Sequence, residues 1–375
     1  MPAGDRQRIS IRSIAQLDDR INNCSDLSER NILFTKKAVA LTRHSFFEEA
    51  KDLLSKLRAI NSKYDPRLSA WIMFAEGQIE HFETLNITRA RDKFVRAHLI
   101  SQVAKDRELA SATSAWLAHC EFVNGRLHDA AAYLAKAFNW SSELKGEARG
   151  RACMVLADGF NMAGDTMTAR HWYSVARVCA VEVGDIAMQN VMLFNSAAFH
   201  VAHLTLTDCV STVSNDELKR TKLEVASAFN LNAALGITSL PSMIPIMLAE
   251  VLVIDREWSR AEREFSLHLP QLAAEGQSKQ THKIIAQRAW CRANIGNSDG
   301  ARRDVQAASE SSSENSDYDD LAVLHYRLAA AASVLNEAEL HEHHRAIAEG
   351  YLFEFRGQQS KIRSLFTPIA DSVQE

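Results

Sequence analysis

The stretch GRLHDAAAYLAKA, residues 125–137, begins with a glycine and places five alanines on the predicted helix that follows. Alanine is the best helix former, and its single methyl group lets a neighbouring backbone approach closely. Larger apolar residues and charged residues share the rest of the helix, which is typical of a helix that packs along one side. The stretch therefore predicts a helix that lies in close contact with a second helix.

The same pattern recurs along the chain. A turn, a small residue and an amphipathic helix follow one another at Ala50, Ala90, Ala130, Ala169, Ala261 and Ala301. The step is about 40 residues, and the gap between Ala169 and Ala261 is about twice as long, which is typical of a helical repeat with one degenerate unit. Small residues such as Ala118 and Ala157 also occur in the preceding helices. The alanines are therefore expected where antiparallel helices meet.

The composition supports an all-α fold. Only 14 glycines and 6 prolines interrupt the 375 residues, and no run of alternating β-branched residues is long enough to predict a strand. The net charge of −4 argues against a nucleic-acid partner, and no apolar run is long enough for a membrane span. The start of the chain has no secretory signal and the six cysteines form no CxxC pair, so we expect a cytoplasmic protein.

The repeat resembles the tetratricopeptide repeat (TPR). The residues that match its consensus are Leu117, Ala118, Gly125, Leu127, Ala130, Leu134 and Ala137, then Leu156, Ala157, Phe160, Gly164, Ala169, Tyr173 and Ala176. The standard unit has 34 residues, whereas units of about 40 residues are similar to those of bacterial regulators and peptide-sensing receptors. Another hairpin repeat, such as HEAT, remains an alternative. The resemblance implies a right-handed α-α superhelix, or solenoid, of about eight TPR-like hairpins closed by capping helices.

The expected organisation follows from this repeat. Residues 1–10 are predicted to be disordered, 11–27 to form an N-terminal capping helix, 28–350 the TPR-like solenoid, and 351–375 a C-terminal capping helix and tail. Within the irregular fifth hairpin, TDCVSTVSND (207–216) is predicted to be a loop, with Asn215 or Asp216 capping the next helix.

No motif predicts catalysis. The chain has no phosphate-binding, dinucleotide-binding or nucleophile-elbow signature. His341 and His344 share a helix face but lack a third metal ligand, so a solvated face is the simpler interpretation. We therefore expect no enzyme activity, no cofactor and no metal.

The resemblance implies that ligands bind the concave side of the superhelix, which the first helices of the hairpins line. The family's contact positions fall at Gln78, His81, His119, Phe122, Arg151, Asp158, Asn161, His200, Glu250, Lys283 and Trp290. The implied function is a non-catalytic scaffold or signalling adaptor that binds a protein or peptide. The alternative is a regulatory sensor module that binds a small ligand or signalling peptide and controls a partner. The sequence leaves the oligomeric state open, a homodimer included.

Overall fold

The protein is all-helical over the residues that the structure describes. The computed structural model describes residues 12–61, 65–141, 146–235, 242–275, 278–310 and 317–374, and these residues form seventeen α-helices and no strand. The predicted disorder of residues 1–10 lies outside the described residues. The predicted all-α fold is confirmed.

The helices follow one another as a first helix and eight consecutive pairs. Their bounds are α1 Arg12–Asn23, α2 Leu27–Arg43, α3 Phe47–Ile60, α4 Pro66–Phe82, α5 Ile87–Val103, α6 Arg107–Val123, α7 Leu127–Ser141, α8 Glu147–Met162, α9 Thr166–Glu182, α10 Ile186–Val210, α11 Asn215–Leu235, α12 Met243–Ile254, α13 Trp258–Ala274, α14 Ser278–Asn294, α15 Ser298–Ser309, α16 Tyr318–Val334 and α17 Ala338–Gln374.

The alanines of the repeat lie where the helices meet. Ala50, Ala90, Ala130, Ala169, Ala261 and Ala301 are all 0% exposed. Pairs such as α4 with α5, α6 with α7 and α14 with α15 pack against each other, and the first helices of successive pairs also touch, as α2 does α4 and α14 does α16. This arrangement is the TPR-like helical repeat that the sequence predicted.

The backbone carries the same period at the turns inside the hairpins. One residue with positive φ lies in the turn of seven pairs: Ser45, Leu85, Gly125, Gly164, Arg256, Gly296 and Asn336. These positions repeat the step of about 40 residues, and the doubled gap again falls across the fifth pair. Glycine is not required at this turn position, since Leu85 and Arg256 adopt the same left-handed conformation.

The fifth pair differs from the prediction. The predicted loop over 207–216 is too long: α10 continues to Val210 and α11 begins at Asn215, so only residues 211–214 connect them. Neither Asn215 nor Asp216 is the cap: the backbone N–H of Glu217 donates to Ser214 Oγ (3.3 Å), and Ser214 Oγ donates to the Glu217 carboxylate (2.7 Å). Ser214 therefore acts as the N-cap of α11, and its hydroxyl also binds the Glu217 carboxylate.

The chain divides into two compact units. The first comprises residues 1–160, 165–192 and 362–375, and the second comprises 161–164 and 193–361. The core of the first unit runs from Ile32 to Cys120 through Trp71, Phe94 and Trp116, and the second unit is built on clusters around Phe265, Val251 and Leu328. The predicted N-terminal capping helix covers α1, and the predicted boundary at residue 350 falls inside α17.

Ala130→Leu tests the close contact between α6 and α7. Ala130 is 0% exposed, so three added carbon atoms must displace the neighbouring helix, and we expect a loss of about 1–3 kcal/mol in the free energy of unfolding. Ala132 is exposed on the same helix, which makes Ala132→Leu the matched control. Denaturant unfolding measures the free energy of unfolding of both variants. If both are as stable as the parent, α7 has no tight contact at Ala130.

Candidate functional site

The first helices of three successive pairs in the first unit present side chains from one face each. On α4 these residues are Trp71, Phe74, Gln78 and His81; on α6 they are Ala112, Trp116, His119 and Phe122; on α8 they are Ala148, Arg151 and Asp158. Spacings of three, four or seven residues keep each set on one side of its helix. We call this set the inner face. It contains six of the sequence-predicted site residues: Gln78, His81, His119, Phe122, Arg151 and Asp158.

Aromatic and basic side chains join the three helices of the inner face. The His81 ring lies 5.0 Å from the Trp116 ring and 5.2 Å from the His119 ring, measured between centroids. The Arg151 guanidinium stacks over Trp116, with its Cζ atom 4.0 Å from the ring centroid. The structure therefore brings together residues that are about 70 positions apart in sequence, as the repeat implies.

Burial keeps both histidines neutral. Burial, with repulsion from Arg151 as a smaller cause, lowers the pKa of His81 to about 3. Burial, His81 and Arg151 together lower the pKa of His119 well below its usual value. Burial likewise lowers the pKa of Arg151 to about 9, and repulsion from Arg43 contributes in the same direction. Arg151 is thus the positive charge of the cluster at neutral pH.

A cavity of about 540 Å³ adjoins the inner face. It is lined by the starts of α4, α6 and α8, by α2, by α1 and by the turn before α10. Trp71 and Phe74 give it an apolar wall, and Ala112 and Ala148 leave room in front of α6 and α8. A concave space with aromatic walls and a few charged groups is the usual form of a ligand site.

The polar wall of the cavity is built on Arg43. This arginine, at the end of α2, pairs with Asp185 and with Glu147, and its side chain is 7% exposed. Lys36 forms a second pair with Glu108, with 2.6 Å between Nζ and the carboxylate. Asp19 and Glu182 also line the cavity, together with Arg20. The lining therefore carries more acidic than basic groups.

The far end of the inner face is covered by the end of α17. Phe366 lies 6.0 Å from Phe122 between ring centroids, and a Cβ at Gly159 would be only 2.3 Å from the Phe366 ring. Phe122 is one of the contact positions that the sequence predicted for a partner. In the structure its ring contacts the chain's own C-terminal helix. Asp158 accepts a hydrogen bond from Tyr173.

The predicted residues of the second unit form a separate group. Lys283 Nζ lies 3.1 Å from Glu250 Oε1 and 2.9 Å from Asp320 Oδ1, and Gln287 Nε2 donates to Glu250 Oε1 at 2.6 Å. Burial opposes the charge of Lys283, but Asp320 and Glu250 outweigh it and raise its pKa above the usual value. Lys283 and Glu250 are buried, so here the predicted contact positions are satisfied inside the protein.

The remaining predicted residues also have partners within the second unit or lie inside it. Trp290 packs 4.6 Å from Trp258 between centroids and lies under the guanidinium groups of Arg256 and Arg327. Both arginines pair with Asp208. His200 pairs with Glu224 through its Nδ1 atom, and Asn161 is 9% exposed.

The sequence did not predict several residues of these sites. Arg43 and Asp185 are 142 positions apart, and Arg327 and Asp208 are 119 apart. No local pattern marks such pairs, because each member occupies an ordinary helix end or helix position. The burial of Phe366 could have been predicted, since the apolar residues Ile362, Phe366 and Ala370 recur every four residues on one side of the C-terminal helix. All three are buried in the structure.

Among the described residues, no three His, Cys, Asp or Glu side chains are arranged to hold a metal ion. In the same residues, no helix combines the length and the apolar character needed to cross a bilayer.

The comparisons with known proteins support the fold. No protein-family model and no curated protein matches the chain. Among solved structures, it is similar to a Rap protein crystallised in complex with Competence and Sporulation Factor, with a TM-score of 0.56 over 92% of each chain and 12% sequence identity. At this identity the likeness extends to the architecture of helical pairs.

Proposed function

We propose that the protein is a non-catalytic module that binds a protein or peptide partner at the inner face and the adjoining cavity of its first unit. The observation that carries the proposal is the cavity of about 540 Å³, which is lined by the first helices α2, α4, α6 and α8 of four successive pairs. A preformed pocket with aromatic walls orders few side chains on binding, which favours affinity for a peptide or for a projecting side chain.

The solved relative adds support of a different kind. The Rap protein of similar architecture was crystallised with a bound factor, so this type of helical repeat is able to hold a partner. The same likeness leads us to propose that the chain acts as a bacterial-type regulator or signalling adaptor in the cytoplasm rather than as an enzyme.

One contact favours the alternative role of a regulatory sensor. Arg43 on α2 reaches Asp185 before α10 across the cavity wall, and α1 lies beside the same turn. A ligand in the cavity would touch α1, α2 and the turn before α10, so its binding would favour one arrangement of those helices. A small ligand or signalling peptide could then control a separate partner protein.

Filling the cavity tests the proposed function. The tagged chain is purified from its native host together with Ala40→Trp, which fills the cavity, and Ala132→Trp, which adds the same side chain to the exposed side of α7. Mass spectrometry then identifies the molecules that remain bound in stoichiometric amount. We expect one partner on the parent and on Ala132→Trp and its loss from Ala40→Trp. Equal retention by both tryptophan variants would refute the cavity as the site.

A further inference from the structure

Several hydrogen-bonding groups on the inner face have no partner among the residues that the structure describes. The side-chain atoms concerned are buried and belong to one cluster: Gln78 Nε2 and Oε1, His81 Nδ1, Trp116 Nε1, His119 Nδ1 and Arg151 Nε. A buried donor without an acceptor costs roughly 1–3 kcal/mol, so a folded protein rarely leaves several together. These groups therefore indicate a bound molecule or ion that is not part of the protein chain.

The side chains that carry the unpartnered atoms lie close to one another. The rings of His81, Trp116 and His119 are 5.0–5.7 Å apart between centroids, and Arg151 Cζ lies 4.0 Å from the Trp116 centroid. Gln78 is one helical turn before His81 on the same face of α4. One small group could therefore contact donors from all three helices.

The charge of the cluster has no direct counter-ion among the described residues. Arg151 is 4% exposed, and within the described residues no carboxylate approaches it to ion-pair distance. Its Nη1 atom makes a weak contact with Met154 Sδ at 4.0 Å. Asp185 and Asp158 act on it only at longer range. A buried cation without a counter-ion is strongly unfavourable, because burial removes its hydration.

We propose that the cluster around Arg151 binds an oxyanion, a carboxylate or phosphate group, between α4, α6 and α8. An oxyanion only accepts hydrogen bonds, so it matches the guanidinium, indole, amide and imidazole N–H groups that these side chains carry. A cation would be repelled by Arg151, and a water molecule would satisfy donors without neutralising the charge. The inference rests on the proposed function for its carrier, since the oxyanion would be the anchoring group of the bound partner.

The neighbouring cavity gives the anion a route to the cluster. Phe74, Ala112 and Ala148 line the cavity, and each lies one turn before a member of the cluster: Gln78, Trp116 and Arg151 respectively. A ligand in the cavity would therefore extend along the inner face toward Arg151. The acidic groups at the outer wall and the basic group inside fit a partner with a positive part and a terminal or projecting anion.

Thermal unfolding of the full-length protein tests the inference. Melting temperatures are measured at pH 7.5 in sodium chloride, in sodium phosphate and in sodium acetate of equal ionic strength, for the parent, Arg151→Gln and Arg96→Gln. Arg96 is exposed on α5 of the same unit, so its variant controls for the change in net charge. We expect phosphate, acetate or both to raise the melting temperature by several degrees, saturably, in the parent and in Arg96→Gln but not in Arg151→Gln.

Two additional measurements keep the test decisive if Arg151→Gln fails to fold. Broadening of the phosphorus resonance of inorganic phosphate by the parent protein reports binding directly. N-acetylleucine and its amide, added to the parent, distinguish a peptide carboxylate from a free small anion, because only the acid should stabilise the protein at an Arg151 site. An equal response of the parent and Arg151→Gln, or no anion binding by the parent, would overturn the inference and leave ordered water in the cluster.

The outcomes separate this inference from the proposed function. A partner that is retained by the parent and lost from Ala40→Trp, without any Arg151-dependent anion effect, would sustain the binding role and remove the oxyanion site. An Arg151-dependent anion effect without a cavity-dependent partner would sustain the site and remove the proposed function.

Discussion

Replacing Phe366 by alanine is expected to lower the free energy of unfolding of the first unit by about 3–5 kcal/mol. Phe366 is 0% exposed, and its ring fills the space that Gly159 leaves on α8 and packs against Phe122 on α6. Removal of the ring leaves a cavity between rigid helices, which relax only in part. The loss therefore includes both the burial energy of the ring and the cost of the cavity.

The same helix supplies the control for this variant. Phe353 on α17 is 74% exposed, so Phe353→Ala should change stability by less than about 0.5 kcal/mol. Urea denaturation followed by circular dichroism and by tryptophan fluorescence measures both variants. Equal stability of the two would show that residues 362–374 do not pack on α6 and α8.

The pairing of helices could be predicted because it depends on local pattern. The alanines at Ala90, Ala130 and Ala169 fix which side of each second helix faces its partner, and the structure leaves all three without exposed surface. The period survives even where the turn residue is Leu85 or Arg256, because the helices and not the turn chemistry determine the geometry. Close helix contact leaves a strong signal in a single sequence.

The fifth pair shows where local pattern fails. Thr207 to Val210 resemble a loop because threonine and aspartate are poor helix formers. The structure extends α10 through them, since Asp208 is held by Arg327 and Arg256 and its side chain is 3% exposed. The stabilising partners are 48 and 119 residues away, so no window of local sequence contains them.

The candidate site was predictable by position but not by chemistry. The repeat placed Gln78, His81, His119 and Arg151 on one face, where the structure has them together. It could not show that Phe122 contacts Phe366, or that Lys283 is buried between two carboxylates. A contact position on a repeat indicates the side of a helix, whereas burial and pairing depend on distant segments of the chain.

Lys283 therefore has a measurable structural role as well as a predicted binding position. We expect Lys283→Met to lower the free energy of unfolding by about 3–5 kcal/mol at pH 8, because it removes one member of a buried charge network. Glu250 is 4% exposed and would keep Gln287 as a hydrogen-bond donor but lose its counter-charge. Asp320 would lose the same cation. The loss of compensation, not the loss of volume, sets the size of the effect, since methionine fills a similar space.

The pH dependence of this variant separates the electrostatic cause from a packing defect. Burial and the neighbouring Asp320 raise the pKa of Asp319 to about 7, and Lys283 opposes that rise. Without Lys283 the pKa of Asp319 rises further above its unfolded value, so protonation at low pH favours the folded state. The cost of Lys283→Met should therefore be smaller at pH 5 than at pH 8, as measured by urea denaturation, whereas the exposed control Lys219→Met should be near neutral at both. A cost that does not change with pH would assign the effect to packing, and a cost below about 1 kcal/mol at pH 8 would show that water already reaches the two carboxylates.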